Sequence, residues 1–573
     1  MNRKIWKALG IVVCMLALAA PHAMAETLTH MVTADTDFAK VVKNINASGV
    51  DDENVIELCA DITLTGNHTL KRSTTIKSKD EDRKISINGS NAGITVAGEG
   101  TVLNLGAKGY DKKLTIEGDG DARIQAAFVT VSEGATANMY ENVTLQNRKS
   151  TGNACIVIMG SKSVFNMRGG VTENCSRAVI ADSGATFHMF DGEIKDCKVY
   201  GNGVILVYDN SKFIMEGGTI SECEALTDNG GGLYADNSTI NISGGTISGC
   251  KGVWGGGLYA ENSSTIEISD GTISGCTVGA GGGLFVDRST VRISGGIISG
   301  CITSDTGNGG GLYANHSTIK ITGGRIENNK AAHGGGVALV GKTTFEKPIT
   351  NWTVIGNEAY ATGGVGGGIK LENGSMDVSA GSNRIYNNTA GGQGADIFLL
   401  NDSSTIKLPN AANMNATYRD SGIEIDGWYN DNPPYTPSEN GVGVDVSGEL
   451  TGGLSLVASY KTILVRIEID ANGGVGGSGS QTVEKGKTVT LEAPTKEGHL
   501  FTGWKDEKGN SYPAGADGKV NITVTEDMTL TAEWEKLPSA ENLPKTGDES
   551  PVLLWSAVLA VSAAAGFMLK RKK

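Results

Sequence analysis

GGGLYADNSTINISGGTISGC, residues 230–250, decides the fold, because closely similar stretches follow it three more times. These copies read GGGLYAENSSTIEISDGTISGC (255–276), GGGLFVDRSTVRISGGIISGC (281–301) and GGGLYANHSTIKITGGRIENN (309–329). The period is 25 to 28 residues, as marked by Leu233, Leu258, Leu284 and Leu312. Short runs of alternating apolar and polar residues, separated by glycine-rich corners, predict about three strands in each copy. Because one copy is too small to bury its own apolar face, the repeat predicts stacked coils of a parallel β-helix.

Weaker copies extend the array in both directions. SVFNMRGGVTENC (163–175) precedes the clearest copies, and WTVIGN (352–357) and NRIYNN (383–388) follow them. We therefore expect an all-β protein with a parallel β-helix over residues 55–408. About fourteen coils at about 4.8 Å each would make it about 65 Å long.

The array is flanked by segments of different composition. Residues 26–54 are expected to form an N-terminal cap region. Residues 409–462 break the repeat with proline and tyrosine, as in NPPY, and are expected to form a cap or transition region over the last coil.

Cysteine recurs once per coil in the centre of the array. The ladder consists of Cys175, Cys197, Cys223, Cys250, Cys276 and Cys301, and it continues as Asn329, Asn357 and Asn388. The interchange of Cys with Asn predicts one stacked corner position, and no metal site is expected there because zinc would need His at neighbouring corners. In-register side chains keep Cβ atoms farther apart than the roughly 3.5–4.5 Å of a disulfide, which favours reduced thiols. Disulfides between adjacent coils are the alternative in a secreted protein.

The Leu-Tyr-Ala-Asp segment supplies a candidate binding face. The alternation that buries Leu233 and Ala235 turns Tyr234 and Asp236 outward. Repetition gives an aromatic file of Tyr234, Tyr259, Phe285 and Tyr313 beside an acidic file of Asp236, Glu261 and Asp287, which Asp209 and Asp182 would continue. A flat aromatic strip next to carboxylates suits a sugar chain, or Ca²⁺ that bridges to one. The alternative is that the rings cover the sheet and that Asp-Asn-Ser caps a turn.

Many β-helices are polysaccharide-degrading enzymes, so catalysis is weighed as an alternative. The architecture resembles pectate lyases and polygalacturonases, whose chemistry needs clustered Asp residues with an Arg or His partner. Here Asp236, Glu261 and Asp287 with Arg288 are the best lyase candidates, while Gly-His-Gly is absent and His333 lacks a partner at a recognisable spacing. Because fold alone does not establish function, no enzyme activity and no cofactor are expected.

Two further resemblances concern surface proteins. The GGG-Leu and Ile-x-Asn-Asn words resemble the repeats of chlamydial polymorphic outer-membrane proteins, which are adhesins. Residues 463–536, with DANGG (470–474), GHLFTGW (498–504) and LTAEW (530–534), resemble the internalin-type B-repeat, also called the Listeria-Bacteroides repeat. That resemblance implies a small β-grasp-like module whose core holds Trp504 and Trp534.

The C-terminal end resembles a Gram-positive cell-wall sorting signal. Leu543-Pro544-Lys545-Thr546-Gly547 forms an LPxTG motif at the end of a linker (537–547). Residues 548–573 follow it, with an uncharged run at 551–569 that is long enough for a membrane helix and a basic end. The resemblance implies that a sortase cleaves after Thr546 and joins its carboxyl to peptidoglycan. The alternative is a plain membrane anchor.

The N-terminal end has the pattern of a signal peptide. Three cations precede an apolar stretch, and Ala23-Met24-Ala25 offers a small-x-small cleavage site before Glu26. Residues 1–25 are therefore expected to be removed on export.

Charge excludes one class of partner. The segment from Glu26 to Thr546 carries 42 basic and 61 acidic residues, a net charge of −19, so nucleic acid is not an expected partner. Together these patterns predict a secreted, wall-anchored adhesin that binds host or microbial glycans or proteins. A spacer without a specific ligand and a wall-tethered polysaccharide lyase or hydrolase are the alternatives.

Overall fold

The structure is a computed structural model that describes residues 27–49, 52–118, 126–149, 153–380, 382–409, 423–430, 449–451 and 454–537. These residues divide into two units, a solenoid and a small module that begins at Thr462. The predicted signal peptide with Ala23, Ala25 and Glu26, the LPKTG motif and the expected membrane helix all lie outside the described residues.

The solenoid is right-handed and has about 14 turns, as the repeat predicts. Each coil contributes strands to parallel stacks, because residues of like type recur at one position in successive coils and pair in register. The first stack comprises Thr27–Val32, Glu53–Leu58, Thr74–Ser78, Val102–Leu105, Thr136–Met139, Lys212–Met215, Thr290–Ile293, Thr318–Ile321, Thr344–Glu346, Ser375–Asp377 and Thr405–Lys407. The second stack comprises Ile62–Leu64, Arg83–Ile87, Leu114–Gly118, Val143–Gln146, Thr219–Ser221, Ile297–Ser299, Arg325–Glu327, Thr353–Ile355 and Arg384–Tyr386.

In four coils one long strand runs through both of these stacks and bends between them. The long strands are Val164–Glu173, Thr186–Lys195, Thr239–Ser248 and Thr265–Ser274. Their register shifts at the bend, for example between Ile242 and Thr246, which is the behaviour of a β-bulge.

The third stack carries the Leu-Tyr-Ala-Asp segments. Its parallel strands are Asn67–Leu70, Gly93–Ala97, Val129–Ser132, Ile156–Met159, Val179–Asp182, Ile205–Val207, Leu233–Asp236, Leu258–Glu261, Leu284–Asp287, Leu312–Asn315, Val337–Val340, Ile369–Leu371 and Ile397–Leu399. Two-residue strands line the corner after the cysteine position: Lys198–Val199, Glu224–Ala225, Thr277–Val278, Ile302–Thr303, Lys330–Ala331, Glu358–Ala359 and Thr389–Ala390.

Both ends of the solenoid carry additional elements. Parallel pairing already begins at Thr27–Val32, inside the range assigned to the N-terminal cap. The only helix in the described residues, Phe38–Asn46, is capped by Asp37 and buries Phe38, Val42 and Ile45. In the predicted C-terminal cap the strands are Ile423–Asn430, Leu450–Thr451 and Ser455–Thr462. The last two pair antiparallel with strands of the last coil, so part of its open edge is covered.

Identical or similar side chains stack inside the coils. Phe165, Phe187 and Phe213 are fully buried. The ring centroid of Phe187 lies 6.1 Å from that of Phe165 and 5.4 Å from that of Phe213. The predicted corner ladder is confirmed, because Cys301 N donates to Asn329 Oδ1 at 2.9 Å and Asn329 Nδ2 donates to Asn357 Oδ1 at 3.0 Å. Thiol and amide therefore occupy one stacked position.

The module, residues 463–537, is all-β. A mixed sheet joins Gly479–Glu484, Leu464–Asp470, Met528–Lys536, His499–Asp506 and Ser511–Pro513 in that order, and Thr488–Glu492 pairs antiparallel with Lys519–Thr523. Trp504 is fully buried in its core and Trp534 packs against that core, as predicted. Residues 454–537 contain no helix, so the helix of a β-grasp fold is lacking and that part of the expectation is not matched.

Candidate functional site

The aromatic file stacks ring on ring along the third stack of strands. Tyr234 and Tyr259 have centroids 5.4 Å apart at an interplanar angle of 7°, and Phe285 and Tyr313 approach to 4.6 Å at 21°. The four rings form a hydrophobic cluster of their own with Leu206 and Ala280. The predicted flat, exposed strip is wrong, because the ring faces cover one another and Tyr234, Tyr259 and Phe285 are each less than 9% exposed.

The acidic file serves the same cluster. Glu261 accepts hydrogen bonds from both Tyr234 and Tyr259, the latter at 3.1 Å. Burial raises the pKa of each of these tyrosines, and the neighbouring Glu261 carboxylate raises it further. The Glu261 carboxylate therefore holds two phenols in place.

The other members of the acidic file have separate surroundings. Asp287 pairs with Arg288 Nη2 at 2.7 Å and accepts from Asn315 Nδ2 at 2.8 Å, while Asp236 lies in register with Glu261. In the described ranges no three His, Cys, Asp or Glu side chains are grouped as metal ligands. The four lyase candidates are therefore neighbours, but three of them, Glu261, Asp287 and Arg288, are engaged by the protein's own side chains.

The continuation of the acidic file through Asp209 is wrong by one residue. Ile205 pairs with Leu233 and Val207 with Ala235, so Tyr208 takes the place equivalent to Asp236. Burial, with help from the nearby Asp182, raises the pKa of Tyr208 to about 12. The spacing of Asp-Asn-Ser words conceals this shift, because the turn after Tyr208 has a different length.

Trp254 is the functional candidate that the repeat pattern did not reveal. It lies in a glycine-rich corner directly before Gly-Gly-Gly, where the following copies have Ala280, Asn308 and His333, and it forms a parallel bridge with the small Ala280. Its ring stacks on Phe285 with centroids 5.5 Å apart and planes 12° apart. Trp254 is nevertheless 45% exposed, so part of the indole faces solvent.

A shallow depression of about 300 Å³ opens beside Trp254. Phe285 and Tyr313 contribute its apolar wall, and Asp287, Asn308 and Asn315 contribute its polar groups. Asn308 also accepts a hydrogen bond from Lys370 Nζ at 3.3 Å, which orients its amide. An aromatic surface next to carboxylate and amide groups can pack against the C–H face of a pyranose and hydrogen-bond its hydroxyls.

A second groove of about 460 Å³ lies over the ends of the first-stack strands, where the bend begins, and its mostly apolar lining carries several charged side chains. Asn241, Glu267, Arg292 and Lys320 occupy the same position of successive coils and line it. Arg292 lies 3.7 Å from Glu267 and 3.6 Å from Glu346, so two adjacent cations, Arg292 and Lys320, lie between two carboxylates in this file. Within the described ranges Asn241 Oδ1 is buried and accepts no hydrogen bond.

His333, the remaining sequence candidate, has a structural role. Its Nδ1 accepts from Val365 N at 3.2 Å. Burial lowers the pKa of His333, and the nearby Lys370 lowers it further, which favours the neutral acceptor form.

Stacked parallel strands with side-chain ladders inside define a right-handed β-solenoid protein with grooves on its outer faces. Residues 178–359 match the family described as right handed beta helix region, and residues 463–538 match the family described as divergent InlB B-repeat domain. The predicted β-helix and B-repeat module are thereby confirmed, and the two domains together fit a surface-type protein. No curated protein and no solved structure matches the chain.

A search for membrane-spanning helices covers only the described residues. Among them no helix is long and apolar enough to cross a bilayer.

Proposed function

We propose that this protein is a cell-wall-anchored adhesin whose solenoid binds a neutral glycan at the depression beside Trp254. The observation that carries the proposal is an indole that is held in place by stacking on Phe285 and yet is 45% exposed. A large exposed aromatic side chain with a fixed orientation offers apolar contact at little entropic cost.

The polar groups around the depression favour a neutral sugar. Asp287, Asn308 and Asn315 offer a carboxylate and two amides for hydroxyl groups. Four carboxylates lie at or beside the depression, those of Asp236, Glu261, Asp287 and Glu372. They outnumber the two nearby cations, Arg288 and Lys370, so the net negative charge disfavours uronic and sialic acids. The ligand class is therefore a hexopyranoside or a chain of them.

A glycan array tests the ligand class, with titration calorimetry on the best neutral ligand. Trp254→Ala should weaken that binding at least about tenfold, because loss of one indole contact removes on the order of 1.5–3 kcal/mol. Tyr200→Ala is the matched control, since Tyr200 is also a corner aromatic and is 64% exposed but lies outside the depression. Equal affinity of both variants and the native chain would rule out this site.

Attachment to the wall is part of the proposal and rests on the LPKTG segment followed by an uncharged run and a basic end. In a Gram-positive host with a sortase, the native chain should leave the cell only after muralytic digestion. Thr546→Ala should instead be extracted by detergent from the membrane. Detergent extraction of both chains would favour a plain membrane anchor.

The second groove supports a second candidate function, polysaccharide cleavage. Glu267, Arg292 and Lys320 line one groove and provide a carboxylate and two cations, which could bind an acidic polysaccharide and move a proton. Incubation with polyuronates should then give ultraviolet absorbance from unsaturated ends, and Arg292→Ala should abolish it. The absence of both turnover and glycan binding would favour a spacer without a specific ligand.

A further inference from the structure

Cys155 and Cys175 face each other inside one coil. Their Sγ atoms lie 2.6 Å apart, although ordinary non-bonded contacts between heavy atoms are about 3.5–4.0 Å. Cys155 is fully buried and Cys175 is 2% exposed, so no solvent separates them. Cys175 belongs to the corner ladder, while Cys155 lies outside it, on the segment that leads into Ile156–Met159.

The geometry of other coils shows that these two positions suit a covalent bond. Strand register makes Cys155 equivalent to Gly232, Gly257 and Gly283, each of which precedes the first residue of its strand in the third stack. Each glycine faces the ladder cysteine of its own coil. A Cβ placed at Gly232 would lie 3.2 Å from Cys250 Sγ, and Cβ atoms at Gly257 and Gly283 would lie 3.4 Å from Cys276 Sγ and Cys301 Sγ.

That distance is the one found across a disulfide. With an S–S bond of about 2.05 Å, the Cβ of one half lies about 3 Å from the sulfur of the other half. In these three coils the two positions therefore lie at about the separation that a disulfide requires. Equivalent positions in the next two coils hold Ala178 and Val204, so among the described coils only the pair Cys155 and Cys175 has two sulfurs.

We infer that Cys155 and Cys175 form a disulfide that closes one coil across its interior. This differs from the bridges between adjacent coils that the ladder alone suggested, because it joins two sides of the same coil. The other ladder cysteines remain thiols, because the position equivalent to Cys155 holds Ala178, Val204 or a glycine in their coils. The contact of Sγ with the carbonyl two residues earlier does not separate them, since Cys175 Sγ lies 3.2 Å from Glu173 O and Cys250 Sγ lies 3.4 Å from Ser248 O.

The bond forms by exchange with an external disulfide donor before the coil closes, because both sulfurs are buried afterwards. One cysteine thiolate attacks the donor disulfide and releases the first donor thiol. The second cysteine then displaces the other half of the donor. Two cysteine thiols and one donor disulfide become one protein disulfide and two donor thiols, and the donor carries away both protons and both electrons.

Peptide mapping without reduction tests the pairing. The full-length protein is isolated from a secreting host, alkylated while denatured and digested with trypsin. Cleavage after Lys149, Lys162, Arg168 and Arg177 gives residues 150–162 and 169–177, and we expect these two peptides to be joined and about 2 Da lighter than their sum. Alkylation should reach six of the eight cysteines that follow Glu26.

Two other results would overturn the assignment. A link between residues 169–177 and 196–198 would show a bridge along the ladder, from Cys175 to Cys197. Alkylation of all eight cysteines in the unreduced protein would show that Cys155 and Cys175 stay thiols.

Thermal unfolding supplies an independent measurement. Dithiothreitol should lower the unfolding temperature of the native chain, while Cys155→Ser should already be lower and should not respond to dithiothreitol. Cys276→Ser is the matched control, because Cys276 occupies the same ladder opposite Gly257, and it should keep the native response. An equal response of the native chain and Cys155→Ser would contradict the bond.

Discussion

Among single residues, Glu261 shows most clearly that a row of residues predicted to bind a ligand instead stabilises the fold. Its carboxylate accepts from two tyrosines of adjacent coils, and those rings are stacked and buried. The hydrogen bonds and the burial both favour the neutral phenol. The file that sequence parity marked as a binding strip therefore contributes to cohesion between coils, while the exposed contact falls to Trp254 in the neighbouring corner.

The tyrosine file predicts a loss of stability at high pH. The pKa values of Tyr234 and Tyr259 are raised in the folded chain, whereas unfolded tyrosine ionises near pH 10. The folded state therefore binds more protons above about pH 10, and the free energy of unfolding should fall there by up to about 1.4 kcal/mol per pH unit for each tyrosine. Below about pH 10 these groups should have no effect.

Urea unfolding at about pH 9 and about pH 11 measures this dependence. A Tyr234→Phe, Tyr259→Phe double variant should show a shallower decline between the two values. Tyr200→Phe, at an exposed corner, should keep the native decline. A double variant with the native pH dependence would count against the mechanism.

At the scale of elements, the bend between the first and second stacks depends on glycine. In Ser294-Gly295-Gly296 a Cβ on Gly295 would lie 2.0 Å from Ser269 O of the preceding coil. Gly244 has the same relation to Glu216 O, at 2.1 Å. At Gly244 and Gly295 the coils approach this closely because no side chain is present. In two other coils the equivalent position holds Asp191 and Asp270, and there the register of the strand pair shifts.

Gly295→Ala should therefore destabilise the solenoid. Backbone displacement of this kind costs about 1–3 kcal/mol or more, and denaturant unfolding followed by circular dichroism would measure it. Gly66→Ala is the matched control, because a Cβ there meets no atom within 4 Å. Equal stability of the two variants would refute the steric argument.

The strands were predictable from sequence because several aligned copies show the same pattern, so the assignment in one coil can be checked against the others. The period located the strands, and the exchange of Cys301 for Asn329 located a stacked corner. The alternation of residues along the strand predicted on which side of the sheet Tyr259 lies. It could not predict that the rings of neighbouring coils would bury Tyr259 on that side. The position of Trp254 was missed because it occurs in one corner only, and Cys155 was missed because it stands outside the ladder.

At the scale of the whole molecule, the solenoid and the module each have their own core. Trp504 is fully buried within the module, among Ile467, Ile522 and Leu530. The solenoid core consists instead of ladders that run from coil to coil. Separate cores of this kind unfold as separate cooperative units.

Calorimetry of the full chain should accordingly show two unfolding transitions. Trp504→Ala should destabilise the module by about 3–5 kcal/mol and shift one transition only. Leu258→Ala, in the solenoid core, should shift the other one. A single transition that moves with both variants would show that the two units unfold together.

The direction of the hydrogen bonds has a mechanical consequence. Because the coils pair through parallel strands, their hydrogen bonds point along the solenoid axis. Tension between the two ends of the solenoid would act parallel to these hydrogen bonds and would not shear one strand along another. The bonds between coils should therefore break one coil at a time. Each coil that opens would release about 25–28 residues, or on the order of 90 Å of slack. The solenoid would thus extend in steps under force and limit the tension on its ends. A single-molecule pulling experiment should show this stepwise lengthening.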